Sequence, residues 1–371
     1  MNKPLTYLLL LSVPGLMLCI IPVDGAALRF SWQMSALWLG GVAFTALLTS
    51  WWLRAFWLAA LAVTALAAWP PNYEAYVSLL TVAVFLAAAE GFSRIDPDAT
   101  MCAMRIAAGL LLAWILLQEA GVAHTWFPAQ NAGPFNPNLG GVFLALCLPA
   151  FMAGGWWAAG VLVALGILIA KSTTAALAAL TGAAVWCLIT YRGRRRVLAG
   201  AAAALMLFAG VWFWRVDSLD RLFSCSRWIV WTHAALAIPA EPFGRGLGSW
   251  AAVFPLLASG IPALNAPTAT REGLAAVAVF EQAHNEYVQA AFELGLQTLA
   301  LIIAFLVWAI RKTATADGSP LTAQSAAGIA AVAVSCFGVF TFHVGPTALL
   351  GIAWLGMFLE SHKTAHGGLG A

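Results

Sequence analysis

Charge is what this sequence has least of. Asp, Glu, Lys and Arg together supply 9% of its 371 residues, where a soluble domain carries about 25%. With 62% hydrophobic residues and a mean hydropathy of +0.88, a soluble fold of this length is excluded. Lipid is the solvent for most of the chain. Cysteine is sparse as well. The six Cys, at 19, 102, 147, 187, 225 and 336, make no CxxC and no Cys/His metal spacing, and most sit inside apolar runs. That excludes a disulfide framework and a zinc site. The basic residues gather in one short cluster, Arg192, Arg194, Arg195 and Arg196, with no extended patch, which excludes a nucleic-acid surface. No sequence repeat of fixed period is present.

What is present is a succession of apolar runs. Spans of roughly 20 residues fit at about 5–23, 33–50, 52–70, 74–90, 101–118, 138–154, 156–171, 173–190, 197–214, 288–310, 322–343 and 346–360. The first, with Lys3 before it and no clear cleavage pattern after it, reads as a retained span. The fold class expected is an all-α polytopic membrane protein of about twelve helices. Residues 1–371 form a single integral membrane domain, and 215–287 form a long lobe between helices 9 and 10. Lys3, Arg54, Arg94, the Arg192–Arg196 cluster, Arg311, Lys312 and Lys363 fall on one side if the spans alternate. That side is expected to be cytoplasmic, with both termini on it. The lobe then lies outside, with the corners around 121–138, 171–174 and 343–346.

The lobe is not continuously apolar. From Cys225 to Ile238 the spacing of Trp228, Trp231, Ala235 and Ile238 predicts a helix with one apolar stripe lying along the membrane surface. Pro239 and Pro242 end it. Gly244, Gly246 and Gly248 in GRGLGSW follow, permitting close backbone approach to a ligand. They lack the GxGxxG spacing and a preceding strand, so a dinucleotide reading is rejected. Residues 261–272 read as a loop, and a helix is expected to restart over 273–280.

Candidate chemistry gathers at this outer edge. Asn285, Gln289, Glu293 and Gln297 recur every four residues on one helical face. Such a face is either a hydrogen-bonded packing stripe or the wall of a polar cavity. His284 stands at its mouth, with a side chain suited to proton transfer near neutral pH. Arg227, Arg245 and Lys171 are outward cations. Each is read either as interfacial snorkelling or, taken together beside a histidine, as an anion site. FNPN places Asn136 and Asn138 at the start of the sixth span, where Pro137 fixes a bend and Asn138 can cap the helix, a structural role or a substrate contact. His124, His233 and His343 are outward but carry no supporting pattern.

Three stretches, in this order, resemble the O-antigen ligase and polymerase superfamily of bacterial inner-membrane proteins. They are GPFNPNLGGVFLALCLP, SRWIVWTHAALAIPAEPFGRGLGSW and AHNEYVQAAFELGLQTLAL. The match covers most of residues 100–310, and the first 100 residues match only as generic spans. The resemblance implies a GT-C-like membrane glycosyltransferase with its active site on the periplasmic side. Its donor is a glycan linked to undecaprenyl diphosphate, and no cofactor and no metal are needed. A ligase, the reading preferred here, moves that glycan to a sugar hydroxyl of lipid A-core in lipopolysaccharide biosynthesis. A polymerase or a protein O-oligosaccharyltransferase of the same superfamily is the alternative. A lipid-linked glycan transporter is the remote one, disfavoured because transporters show inverted repeats and broken mid-span helices. On this reading His284 accepts the acceptor's proton, or positions its hydroxyl, and either Glu286 or Glu293 orients the imidazole. Arg227, Arg245 and Lys171 hold the diphosphate, and Asn136, Asn138 and Asn285 bind substrate or support the fold. The family often has Ser-Arg at the corner before the eighth span, where this chain has Lys171-Ser172-Thr173.

Overall fold

The computed structural model describes residues 84–123, 137–191, 226–246, 249–258, 268–269, 275–276, 283–315, 318–339 and 341–367. The expected spans at 5–23, 33–50, 52–70 and 197–214 lie outside these residues, as do Asn136, His124 and the start of the lobe. Among the described residues ten helices are numbered here in chain order. They are α1 (Pro97–Glu119), α2 (Pro137–Cys147), α3 (Trp157–Ile169), α4 (Thr173–Thr190), α5 (Ser226–Ala237), α6 (Trp250–Ala258), α7 (Glu286–Leu294), α8 (Leu296–Ala314), α9 (Pro320–Gly338) and α10 (Gly345–Gly367). A strand pair of two residues each, β1 (Thr268–Ala269) and β2 (Ala275–Ala276), is antiparallel. It occupies part of the segment where a helix over 273–280 was expected. Four helices, α1, α4, α8 and α9, are long and apolar enough to cross a membrane, and Asn138–Phe151, Trp157–Ile169 and Pro346–Ser361 are shorter apolar helices.

Local chemistry sets the helix starts. Pro97 follows Asp96, whose carboxylate accepts from the Asp98 N–H at 3.1 Å. Ser172 accepts from the Ala175 N–H at 3.3 Å, and Ser319 from the Thr322 N–H at 3.3 Å with Pro320 at the first turn. Each satisfies a donor that the first turn leaves open. The expected cap at Asn138 differs. α2 begins at Pro137, so Asn138 falls inside the first turn rather than before it.

Small residues bring the bundle together. α4 and α9 are rich in Ala and Gly and pack antiparallel. Thr174 meets Gly338 at one end, and near the middle a Cβ on Gly182 would lie 3.0 Å from the Ala327 carbonyl. In lipid, such close backbone approach replaces the hydrophobic drive that associates helices in water. α2 and the 3-10 turn Leu148–Phe151 run through the centre, with Val142 to Cys147 fully buried or nearly so. α10 is tied to them by the Trp354 indole N–H, which donates to the Leu146 carbonyl at 2.7 Å.

α5, α6 and α7 enclose a second core of Val230, Ala234, Ile238, Trp250, Phe254, Ala291 and Phe292. The helix expected over 225–238 is present as α5. Val230, Ala234 and Ile238 face the second core, while Trp228 and Ala235 of the expected stripe are exposed. Trp231 packs at the edge of that core and donates its indole N–H to the Ala283 carbonyl at 2.7 Å.

The single span expected over 288–310 is broken. Gly295 has φ 84° and ψ 177°, ending α7 and starting α8. Only 6% of the apolar window of α8 is buried, so this helix stands at the rim of the bundle.

Candidate active site

Two segments meet at the start of α7, and a third touches one of them through Gly338. The first is His284 itself, held at φ +54°, a left-handed backbone that costs a non-glycine residue about 1 kcal/mol or more. Its neighbour Ala283 is fastened on both sides. The Ala283 N–H donates to Gln289 Oε1 at 3.1 Å, and its carbonyl accepts from Trp231 at 2.7 Å. The second segment is the N-terminus of α5. Trp231 pins this helix to Ala283, which brings Arg227, one turn earlier, beside His284. Arg227 also donates from Nη1 to the Gly338 carbonyl at 3.2 Å. The third is the corner Lys171–Thr174, where Lys171 is exposed at φ +53° and Thr174 packs on the same Gly338.

This arrangement acts on the imidazole. Burial and the Arg227 cation both disfavour a second proton and lower His284 to about 4. It is therefore neutral at neutral pH, with a lone pair available. Arg227 places its positive charge beside this imidazole.

Arg245 is elsewhere. Its Nη2 donates to the Ala237 carbonyl at 2.9 Å, and its guanidinium lies 4.6 Å from the Phe292 ring centre. Ala237 is ten residues along α5 from Arg227, about 15 Å at 1.5 Å per residue. The two guanidinium groups are thus anchored near opposite ends of α5. Around Arg245 the glycine turn closes on protein. The Arg245 N–H donates to the Phe292 carbonyl at 3.2 Å, the Gly246 N–H to the Glu293 carbonyl at 2.9 Å, and the Leu296 N–H to the Pro242 carbonyl at 2.9 Å. Gly244, at φ +90°, leaves no room for a Cβ, which would lie 2.3 Å from the Glu293 carbonyl oxygen. Of the glycines expected to allow close backbone approach, Gly244 makes it to α7, and Gly248 lies outside the described residues.

Of the two acidic residues, Glu286 pairs with another histidine, and Glu293 bonds Gln289 and α6. Glu286 pairs with His343, at 3.1 Å and 3.0 Å from its two carboxylate oxygens to Nδ1, and accepts from the Phe342 N–H at 2.7 Å. Glu293 is buried and accepts from Gln289 Nε2 at 3.1 Å and from the Trp250 N–H at 3.2 Å. A carboxylate at the start of α6 also suits the positive end of that helix. Gln289 Nε2 lies 3.2 Å from His343 Nε2. Asn285 is buried and caps α7, accepting from the Tyr287 and Val288 N–H groups at 3.0 and 3.1 Å. Asn138 is half-buried in the first turn of α2.

The polar face is therefore real over Asn285, Gln289 and Glu293, all buried. Gln297 leaves it, because the break at Gly295 resets the register. It is exposed and donates to the Phe243 carbonyl at 3.1 Å. His343 carried no signal in the sequence; 57 residues separate it from Glu286, and no spacing rule links them. His233 turns Nδ1 to the Ile229 carbonyl of its own helix at 2.8 Å.

Beside this network an apolar cavity of about 430 Å³ opens between α7, α8, α9 and α10. Leu301, Phe305, Ile329, Val332 and Leu355 line it, with Glu286 and Tyr287 also on its wall.

Residues 158–303 match the family described as O-Antigen ligase, in agreement with the resemblance read from the motifs. The matched segment runs from α3 into α8 and contains Lys171, Arg227, Arg245, His284, Glu286 and Glu293. No curated protein matches the chain.

Proposed function

We propose that this chain, a member of the O-antigen ligase and polymerase superfamily through residues 158–303, is a ligase. It transfers a glycan from undecaprenyl diphosphate to a sugar hydroxyl of lipid A-core at the periplasmic face of the bacterial inner membrane. The observation that supports this reading is Arg227, whose cation acts on a neutral His284 and whose guanidinium bonds the Gly338 carbonyl on which Thr174, next to the Lys171 corner, packs.

The donor diphosphate lies against Arg227 and Lys171, and its polyprenyl tail runs into the apolar cavity beside α8. The acceptor hydroxyl attacks the anomeric carbon. The new carbon–oxygen bond forms as the bond from that carbon to the diphosphate breaks. The hydroxyl proton passes to His284 Nδ1 or Nε2, and undecaprenyl diphosphate departs with the electron pair. Arg227 and Lys171 stabilise the charge that builds on it. An imidazole at about 4 is a weak base. The incoming diphosphate offsets the Arg227 cation and raises His284 toward its ordinary range, so base strength arrives with the donor. Arg245 contributes at a distance, fixing the far end of α5 against Phe292.

Purified protein is given lipid-linked glycan and lipid A-core without added metal and scored for transfer. Loss of transfer by at least about 100-fold in His284→Ala is expected, since general-base help is worth about 10²–10⁴-fold. Near-parental transfer by that variant removes His284 from this role. In cells, loss of a ligase leaves bare core with free lipid-linked polymer. Core bearing a single repeat identifies a polymerase instead.

A further inference from the structure

The hydrogen bonds around Gln289 allow its donor and acceptor ends to be assigned. Gln289 Oε1 accepts from the Ala283 N–H at 3.1 Å, and Nε2 faces the Glu293 carboxylate at 3.1 Å. A backbone N–H requires an oxygen and a carboxylate requires a donor, so both neighbours fix the same amide orientation. Nε2 then directs its second proton at His343 Nε2, 3.2 Å away. That nitrogen must accept. His343 is thereby the tautomer protonated at Nδ1, which donates to Glu286 at 3.1 Å. A second proton on His343 places two donors face to face. Turning the amide over relieves this contact, at the cost of setting Nε2 against the Ala283 N–H and Oε1 against Glu293.

We propose that Gln289 and His343 are positioning residues for His284. A neutral His343 keeps the Gln289 amide in the orientation that holds Ala283, and with it the left-handed backbone of His284. Protonation of His343 turns the amide and releases that hold. The inference rests on the reading of His284 as the group that meets the acceptor hydroxyl. The groups facing His343 support a titration in the working range. Both come from α7: Glu286, paired with Nδ1, and Glu293, which acts through Gln289 and by its charge. Burial lowers His343, but the Glu286 charge and hydrogen bond, with the Glu293 charge, outweigh it and leave it above its ordinary value. The imidazolium–Glu286 pair is what drives the turn. His284 titrates far lower, so the two acid limbs are separable.

The test uses full-length protein with lipid-linked glycan and lipid A-core, measured from about pH 5 to about pH 9. Parental kcat is expected to fall on the acid side with a midpoint above 6.5, by roughly tenfold per pH unit below it. His343→Gln supplies one donor and one acceptor and does not titrate. It is expected to keep kcat within about threefold at high pH and to lose that limb. A limb unchanged in His343→Gln overturns the proposal. Gln289→Leu is expected to lower kcat about tenfold with donor KM within about twofold; a raised KM at unchanged kcat overturns it. A measurement free of variants decides independently. Hydrogen exchange of the peptide containing Ala283 and His284, corrected for intrinsic rate, is expected to lose protection through the same midpoint, and pH-independent protection overturns the switch. His284→Ala distinguishes the two levels. Transfer retained there sinks the proposed function, while the exchange result still decides whether His343 controls this backbone.

Discussion

Replacing Gly295 by alanine attacks the junction that seats α7 against the glycine turn. At φ 84° and ψ 177° the backbone lies where only glycine rests without strain, which costs alanine about 1–3 kcal/mol. The added Cβ would lie 2.5 Å from the Pro242 carbonyl oxygen and 2.5 Å from the Phe243 carbonyl carbon. Both are backbone, so the two segments must separate. Three bonds cross this seam, Leu296 to Pro242 at 2.9 Å, Gly246 to Glu293 at 2.9 Å and Arg245 to Phe292 at 3.2 Å. Weakening two or three of them at about 1 kcal/mol each adds about 2–3 kcal/mol. The entropy that alanine removes from the unfolded chain returns about 0.4–1 kcal/mol. The net expectation is a loss of about 3–5 kcal/mol, or roughly 4–6 °C in Tm for a chain of this size. Detergent-purified protein is heated in steps, and the monodisperse fraction surviving on size exclusion gives the midpoint. Gly109→Ala is the control. It sits within α1 with nothing within 4 Å of its Cβ position, and alanine there is expected to stabilise by about 0.5–1 kcal/mol. A Gly295→Ala midpoint within about 2 °C of the parent refutes the seam as described.

Other outcomes follow from the same geometry. Arg227→Gln removes the cation beside His284, so the free-enzyme acid limb in kcat/KM is expected to rise from about 4, only in part, because burial is the larger cause. Donor KM is expected to rise at least about tenfold with it, and an unmoved limb and KM together dismiss the Arg227–His284 coupling. Asn285→Ala removes the cap on α7 at 3.0 and 3.1 Å and is expected to cost about 1–2 kcal/mol, with Asn285→Asp restoring most of it in the same melting assay. Gly328→Ala would put a Cβ 2.2 Å from Trp354 Cδ2. It is expected to destabilise by about 1–3 kcal/mol, and by less when Trp354→Phe is already present; full additivity denies the contact.

Much of this architecture is legible in the residues, and the failures have physical causes. Apolar runs locate α1, α3, α4, α9 and α10, because lipid demands long apolar helices and little else is compatible with them. The fourfold recurrence of Asn285, Gln289 and Glu293 marks a buried polar face. It does not announce the break at Gly295, since a glycine inside an apolar run carries no sign of its ψ. Arg245 reads like Arg227 in the sequence. Only the fold reveals that it turns back onto the Ala237 carbonyl and the Phe292 ring. The acidic pair was traced to the neighbouring His284, but long-range packing delivers Glu286 to His343. Sequence proximity is a poor guide where a tight helix start points adjacent side chains in different directions.

α7 is held at both of its extremities by segments distant in the chain. Its C-terminal carbonyls receive the glycine turn, and Gln289 near its front grips Ala283. Glu293 also receives the first N–H of α6. One short helix therefore sets both where α6 begins and where the chain stands at Ala283. A change that slides α7 along its axis moves the glycine turn, the first turn of α6 and the His284 backbone together.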